Sequence, residues 1–319
     1  YHLYYLFLYQ IIIHNKFKAV YMKFLEKTSK RNKIIFLLVI IFFFIMYVYM
    51  YKTAHSIRIR YITLEFEDLP ISFDNIKLAL AADMHAGIYI PESHIIRMSD
   101  LIMNNNPDII LFAGDYIYSA PHRFKYYNKK NTDKFSNGIK GLEAKYGKYA
   151  VLGNHDNWES REDVSNALYF NGFKVIDNNI LFITNEIGEY ISIGGVGDYL
   201  TDDVRFDIAV SNVKAEDFHI VISHEPNMPL KRAREGGYDK LIDFFFSGHT
   251  HGLQISFLPM SFWEAVNKNR KYPIFPAVYG LMNYGSIKLY ITSGIGAVLL
   301  PFRLFAIPEI VIVTLKAKI

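Results

Sequence analysis

The segment KLALAADMHAG, residues 77–87, joins a short apolar run to two polar residues, Asp83 and His85. The run Lys77–Ala82 predicts a β-strand, so both polar residues fall just beyond the carboxyl end of that strand. In open α/β sheets, ligand sites form at this edge, because the strands hold the loops there rigidly. The segment therefore predicts an α/β fold and the edge of the sheet where the chemistry takes place.

Four further apolar segments end in the same way, with His, Asp or Asn directly after them. In three of the five segments a glycine precedes the polar residues, which lets the backbone turn sharply and approach a ligand closely. One polar residue after a strand indicates little, but five such segments in one chain indicate a shared site. The further segments are IILFAGDY with Asp115, YAVLGNHDN with Asn154, His155 and Asp156, FHIVISHEPN with His224, and FFFSGHTHG with His249 and His251.

The donor atoms in these segments are imidazole nitrogens, carboxylate oxygens and one amide oxygen. The chain contains no cysteine, which excludes disulfides, thiolate metal sites and a cysteine nucleophile. This donor set suits Mn, Fe, Zn or Mg and does not discriminate among them. Because it exceeds what one ion needs, we expect two divalent metal ions that share a bridging carboxylate. Two ions about 3.5–4 Å apart are an established arrangement for in-line displacement at phosphorus.

The apolar run from Ile34 to Tyr51, IIFLLVIIFFFIMYVYMY, predicts a transmembrane anchor. Its eighteen residues span about 27 Å as a helix, close to the thickness of a hydrocarbon core. A cleaved signal peptide is the main alternative, but the Tyr-Met-Tyr-Lys that ends the run offers no small-residue cleavage site. A core helix is the other alternative.

The net charge of +4 divides unevenly along the chain. Residues 1–52 hold eight basic residues and one acidic residue, so the remainder has 27 basic and 30 acidic residues and a charge of −3. The globular part therefore shows no basic face for nucleic acid. Five basic residues shortly before the run against three after it favour a cytoplasmic N-terminus and an exported domain. Met22 opens a more ordinary sequence, so residues 1–21 are a candidate mis-assigned start.

Four segments follow from this division: a basic N-terminal segment at 1–33, the anchor at 34–51, a connector with a first strand at 52–75, and one α/β domain at 76–319. Within the domain, helices are predicted at 91–104, 139–146 and 159–170, and a surface loop at 118–137. Later strands are predicted at 181–184, 190–194, 219–223, 241–246, 289–292 and 309–315. His94 and His122 are expected to face solvent.

The ordered set D-x-H, G-D, G-N-H-D, H and G-H-x-H resembles the signature of the calcineurin-like metallophosphoesterases. The resemblance implies a four-layer α-β-β-α sandwich with two mixed sheets. It also implies that one ion binds Asp83, His85 and His251, that the other binds Asn154, His224 and His249, and that Asp115 bridges them. His155 would then face the leaving group without binding metal, with Asp156 as its orienting partner.

HTHGLQ, LYITSGIG and PFRLFAIPEIVIVTL are similar to a narrower group of membrane-anchored bacterial phosphohydrolases, which includes UDP-2,3-diacylglucosamine pyrophosphatases. Leu253 and Ser293 depart from the pattern of that group, which bears on the substrate rather than on metal binding. Arg303 is a candidate phosphate clamp, since guanidinium pairs with phosphate oxygens, and a surface ion pair is its alternative role.

The anchor favours a lipid-linked phosphodiester or pyrophosphate as the substrate. UDP-2,3-diacylglucosamine requires a site that faces the cytoplasm, which conflicts with the charge bias around the anchor. An exported phosphodiesterase of cell-envelope phosphoesters, a dinuclear hydrolase of non-phosphate substrates and an inactive metal-binding module are the alternatives.

Overall fold

The computed structural model describes residues 29–119, 129–274 and 276–318. Predictions for residues 1–28, including the one on Met22, and the prediction for His122 lie outside this part of the chain. Two compact units divide at residue 49. The described helices are α1 (Lys30–Ala54), α2 (Glu92–Met103), α3 (Lys129–Gly138), α4 (Asn154–Phe170), α5 (Phe206–Ala209), α6 (Asn227–Glu235) and α7 (Met260–Asn267).

Helix α1 contains the predicted anchor and supplies all the described structure of the first unit. It has 25 residues, and its most apolar stretch has a mean hydropathy of 2.8 with none of that stretch buried. At 1.5 Å per residue the helix is about 37 Å long. By length and composition it is able to cross a membrane.

Twelve described strands belong to the second unit. They are β1 (Arg58–Phe66), β2 (Lys77–Ala81), β3 (Ile109–Ala113), β4 (Lys148–Val151), β5 (Phe173–Val175), β6 (Asn179–Thr184), β7 (Tyr190–Gly195), β8 (His219–Ser223), β9 (Phe244–Ser247), β10 (Gly280–Tyr284), β11 (Ile287–Ile291) and β12 (Glu309–Ala317).

The strands form two mixed sheets of six strands each. The first has the order β1-β12-β2-β3-β4-β5, in which β2 to β5 are parallel and β12 runs antiparallel to β2. The second has the order β10-β11-β9-β8-β7-β6, in which β11, β9, β8 and β7 are parallel. The central strands of each sheet are therefore parallel. Their carboxyl ends lie together at one end of the sheet, where ligand sites form.

Alternate residues of each strand enter different layers of the core, as the pleat of a strand requires. Leu78 and Leu80 of β2 pack between the sheets with Ile220 and Ile222 of β8. Their neighbours Ala79 and Ala81 face the helical layer on the other side of the first sheet. A third cluster packs helices against the outer face of the second sheet. The predicted α/β fold with two mixed sheets is confirmed. Each sheet packs against the other sheet on one face and against helices on the other face.

Three local predictions were wrong. Residues 139–146 form turns rather than a helix, because Gly141 adopts a φ of +88° at the start of this segment and Gly147 a φ of +102° just beyond it. Helix α3 occupies part of the predicted surface loop, and the segment from 120 to 128 lies outside the described residues. His94, predicted to face solvent, is buried in α2.

We expect buried His219 to make the stability of the domain depend on pH. Burial lowers the pKa of His219 to about 4, while an unfolded histidine titrates near 6.5. Between these values the unfolded chain binds the extra proton, so the free energy of unfolding decreases as the pH falls from about 6.5 to 4. His219→Gln should reduce this slope by at most about 1.4 kcal/mol per pH unit in urea unfolding.

Ser192→Ala is the matched control for that measurement. The Ser192 Oγ lies 2.7 Å from His219 Nδ1, so this variant removes a partner of His219 and leaves the titrating group in place. The control should keep a slope close to that of the unmodified chain. Equal slopes in the His219→Gln and unmodified chains would show that His219 does not carry this dependence.

Candidate metal centre

The polar residues predicted to share a site meet where the parallel strands of both sheets end. Asp83 and His85 follow β2, and Asp115 follows β3. From the second sheet, His224 follows β8, and two histidines follow β9. The structure thus brings the predicted residues of separate segments together. The predicted residues that lie after the strand ends are Asp83, His85, Asp115, Asn154, His155, Asp156, His224, His249 and His251.

Backbone strain is concentrated in these loops. Asp83, His85, Asp115, His249 and His251 all have positive φ values, between 47° and 69°. Non-glycine residues rarely adopt this left-handed conformation, and each such residue costs on the order of 1–3 kcal/mol. The surrounding fold therefore compensates for five strained residues in order to direct these side chains.

Two glycines make the close approach of the loops possible. A Cβ atom on Gly153 would lie 2.3 Å from Asp115 Oδ1, and one on Gly248 would lie 2.7 Å from Asp83 Oδ2. No side chain larger than hydrogen fits at these positions without displacing a carboxylate. The Gly-Asn-His-Asp and Gly-His-Thr-His segments thus require glycine for steric reasons.

Asp83, His85 and His251 form one candidate ion site, with ligand atoms that all lie within 4.8 Å of one another. The Nε2 atoms of the two histidines are 3.1 Å apart. His251 Nε2 is 3.7 Å from Asp83 Oδ1. Three donors that converge on one small volume fit a single metal ion.

Asp115, His224 and His249 form a second such group. Asp115 Oδ2 lies 3.2 Å from His224 Nε2 and 3.6 Å from His85 Nε2, so this one oxygen faces both groups. The side-chain oxygen of Asn154 is buried and has no hydrogen-bond partner within the described chain. Asp115 is therefore placed to bridge two ions, and Asn154 Oδ1 is a donor in need of a ligand.

The electrostatics of the site also fit bound cations. Burial lowers the pKa of His249 to about 4 and that of His85 well below its ordinary value, so both imidazoles are neutral and able to bind metal. Burial, with the nearby charge of Asp115, raises the pKa of Asp83 to about 7. Buried carboxylates without a counter-ion are unfavourable, and divalent cations would remove that cost.

A backbone contact fixes the orientation of His224. Its Nδ1 lies 2.8 Å from the carbonyl oxygen of Ala113 and donates to it, which leaves Nε2 with the lone pair directed at the site. Burial opposes protonation of His224, but the carboxylates of Asp115, Asp83 and Glu225 together raise the pKa of this histidine when no cation is bound. A cation bound by Asp115 would remove that influence.

His155 lies beside the ion sites and has a partner that the sequence did not reveal. Its Nδ1 is 2.8 Å from Ser119 Oγ, and its ring centroid is 4.7 Å from that of His85. Ser119 comes four residues after Asp115 in the same loop. Its nearness to Asp115 in the sequence is the feature that could have indicated a role at the site. We conclude that Ser119, rather than Asp156, contacts the His155 ring.

Asp156 instead holds the backbone of the site. Its carboxylate accepts hydrogen bonds from the amides of Gly153 at 2.9 Å, Asp115 at 2.8 Å and Tyr116 at 2.9 Å. The prediction that Asp156 orients His155 is therefore corrected, because its oxygen atoms are occupied by amides of two loops. Asp156 fixes the position of the Asp115 loop relative to α4.

Arg303 has no surface from which to clamp a phosphate. Its side chain is fully buried, and the guanidinium donates to the carbonyl oxygens of Gly296 at 2.8 Å and Ser293 at 2.7 Å. Arg303 Nη2 also lies 3.2 Å from His251 Nδ1. The prediction of a phosphate clamp is therefore corrected, since Arg303 supports the loop behind His251.

Comparisons with known proteins agree with this geometry. Residues 76–253 match the family model of calcineurin-like phosphoesterases. The chain is 28% identical over 270 residues to the uncharacterized metallophosphoesterase YkuE of Bacillus subtilis, covering 84% of this chain and 88% of the relative. It is 26% identical to the phosphodiesterase YaeI of Escherichia coli, over 75% of this chain and 82% of the relative.

A transmembrane protein with a metallophosphoesterase domain from Danio rerio is 23% identical, over 83% of this chain and 59% of the relative. The family match covers more than half of the chain and includes all five polar segments. Its members use a dinuclear centre of divalent metal ions, for which the converging Asp and His residues provide the donors. The chain belongs to the calcineurin-like phosphoesterase family and is a metal-dependent hydrolase of phosphoric esters.

Proposed function

We propose that this chain is a membrane-anchored enzyme that hydrolyses a phosphodiester or pyrophosphate bond of a lipid-linked substrate. The observation that carries the proposal is the position of Asp115 Oδ2, which faces His85 on one side and His224 on the other. Such an oxygen is suited to hold two ions together, as hydrolysis at phosphorus with two metal ions requires.

The proposed ligand sets follow from these contacts and from the motif order. Asn154 completes the second site, because its buried amide oxygen lacks another partner in the described chain. When bound, two such ions would activate a water molecule and neutralise charge on the phosphoryl group. One ion would bind Asp83, His85 and His251, and the other Asn154, His224 and His249, with Asp115 shared.

His155 is the proposed general acid. His155 is partly buried, and its ring forms a third group of possible ligand atoms with His85 and Asp115, all within 4.8 Å of one another. As the general acid it would present Nε2 to a substrate oxygen. Ser119 Oγ holds the opposite ring nitrogen at 2.8 Å and so limits rotation of the ring. Imidazole donates protons to leaving groups in many hydrolases, and a positioned acid contributes about 10²–10⁴-fold to the rate.

The anchor supports the choice of a lipid-linked substrate, because it would hold the site beside a bilayer. UDP-2,3-diacylglucosamine is the specific candidate, from the similarity of HTHGLQ and the C-terminal segments to pyrophosphatases that act on it. A cytoplasmic site is needed for that compound. If the domain is exported, as the basic residues around α1 favour, phosphoesters of the cell envelope are the substrates.

The test of the proposed function is hydrolysis by the purified chain of three substrates: bis-p-nitrophenyl phosphate, UDP-2,3-diacylglucosamine and a p-nitrophenyl amide. We expect release of nitrophenol from the phosphodiester that stops on chelation and returns with Mn²⁺, since the buried donors need a cation. Hydrolysis of UDP-2,3-diacylglucosamine would identify the specific candidate. Turnover of the amide alone would overturn the proposal in favour of a non-phosphate hydrolase.

His155→Ala should lower kcat for bis-p-nitrophenyl phosphate by about 10²–10⁴-fold, because the proton donor is lost. Metal content, measured by mass spectrometry, should stay at the level of the unmodified chain. Ser119→Ala, which removes one hydrogen bond, should cost only about fivefold. A parallel loss of metal in His155→Ala would show that this residue is a ligand instead.

Two charges in the middle of α1 should release the protein from membranes. Each Lys at a helix centre disfavours insertion by about 2.5–3.5 kcal/mol, so the double variant Ile41→Lys, Phe44→Lys should move to the soluble or aggregated fraction after carbonate extraction. The control variant Ile41→Leu, Phe44→Leu should remain in the membrane pellet. Extraction of the unmodified chain by carbonate would contradict the anchor.

A further inference from the structure

An apolar groove of about 410 Å³ opens beside His249 and His251. Its far wall consists of Leu253, Leu299 and Leu300, whose side chains are 45%, 68% and 49% exposed. We propose that this groove binds an acyl chain of the lipid whose phosphoester is hydrolysed at the metal centre. The inference rests on the proposed function and deepens it by locating the lipid subsite.

The composition of the groove fits a hydrocarbon chain. Apart from the two histidines, Thr250 and Gln254, its lining is aliphatic, and it contains no Lys, Arg, Asp or Glu. Two loops line the groove, one at residues 249–255 and the other at 298–300. Exposed Phe257, at 85%, follows the first loop in sequence, and exposed Phe305, at 41%, follows the second. Exposed apolar patches of this kind mark binding surfaces more often than chance. A sugar or nucleotide would find few hydrogen-bond partners here.

The two loops of the groove are held rigidly by Gln254. Its side-chain oxygen accepts from Val298 N at 2.9 Å, and its amide donates to Val298 O at 2.8 Å. Its backbone oxygen accepts from Leu304 N at 2.9 Å. The groove is thus preformed, which lowers the entropic cost of binding a flexible chain.

Leu253 and Leu299 lie at strained backbone positions, which indicates that their apolar side chains have a role of their own. Leu253 and Leu299 have φ values of 67° and 62°, in the left-handed region. Asn or Gly would relieve this strain at an exposed position. Leu253 also departs from the pattern of the membrane-anchored phosphohydrolases that the chain resembles. Two strained and exposed leucines facing one groove are best explained by an apolar ligand.

A backbone hydrogen bond ties the loop that carries the leucines of the groove to Met50, the first residue of the second unit. Arg303 N, in the loop that carries Leu299 and Leu300, donates to the carbonyl oxygen of Met50 at 3.1 Å. Met50 is the second-last residue of the predicted span and lies in the last turns of α1. A lipid whose phosphate lies at the histidines would have an acyl chain beside the leucines of the groove.

The experiment uses p-nitrophenyl alkyl phosphodiesters with methyl, butyl, octyl and dodecyl chains, below their micelle concentrations. The full chain is solubilised in CHAPS, a detergent without an alkyl chain that could fill the groove. We expect kcat/KM to increase by up to about fourfold for each added methylene until the groove is full. The preference is read as the ratio of octyl to methyl kcat/KM within one protein, so partial loss of folded enzyme cancels.

Leu299→Asn combined with Leu300→Gln should lower this ratio by at least about tenfold, because polar side chains would then face the alkyl chain. Asn is compatible with the positive φ at position 299, so the backbone is not further strained. Ile187→Asn is the matched control. Ile187 is 75% exposed in the turn between β6 and β7, at the opposite edge of the second sheet, and this variant should keep the ratio.

The outcomes separate this inference from the proposed function. Turnover of the methyl compound without any increase with chain length would overturn the acyl subsite and leave the phosphoesterase intact. A chain-length effect that survives the double substitution would also overturn it, since another surface would then bind the chain. Failure to hydrolyse even the methyl compound with Mn²⁺ would instead overturn the proposed function.

Discussion

The arrangement of this site depends on one physical constraint: Asp83 and Asp115 are buried at an edge where strands of two sheets end. Carboxylates removed from water need a compensating positive charge, and the neighbouring imidazoles of His85 and His249 are kept neutral by the same burial. Divalent cations satisfy both groups at once. Divalent cations would therefore balance the negative charge that the fold buries, and the same cations would supply the catalytic chemistry.

Two buried polar residues keep that edge in place without taking part in the chemistry. Asp156 ties the Asp115 loop to the start of α4 through backbone amides. Glu309, at the start of β12, accepts from Tyr279 of the segment before β10 at 2.9 Å and from Tyr290 of β11 at 2.8 Å, and so connects the two sheets. Both carboxylates lie among donors supplied by different elements. Such satisfied networks favour one arrangement of the loops over others.

Much of the site was predictable because strand-end positions and ligand chemistry are local properties of the sequence. Five short segments contain the donors, and the pleat of each strand fixes where they emerge. The roles of Arg303 and Asp156 were not predictable, since carbonyl and amide groups distant in sequence occupy their side chains. Helix α3 was missed for a similar reason: KKNTDKFSNG is strongly polar and has one large apolar residue, Phe135, which packs among buried residues that are distant in sequence. The contact of Ser119 with His155 is also tertiary.

The left-handed backbone at five of the donor positions has a consequence for how this protein tolerates mutation. A replacement at one of these positions must meet two independent requirements, because it has to bind a cation and also to accept a positive φ. Asn, Asp, Gly and His adopt a positive φ most easily, whereas β-branched residues do not. When selection on catalysis relaxes, the first substitutions retained at these sites should be Asn or Gly. A lineage that has lost activity would then carry a recognisable pattern of substitutions while the fold persists.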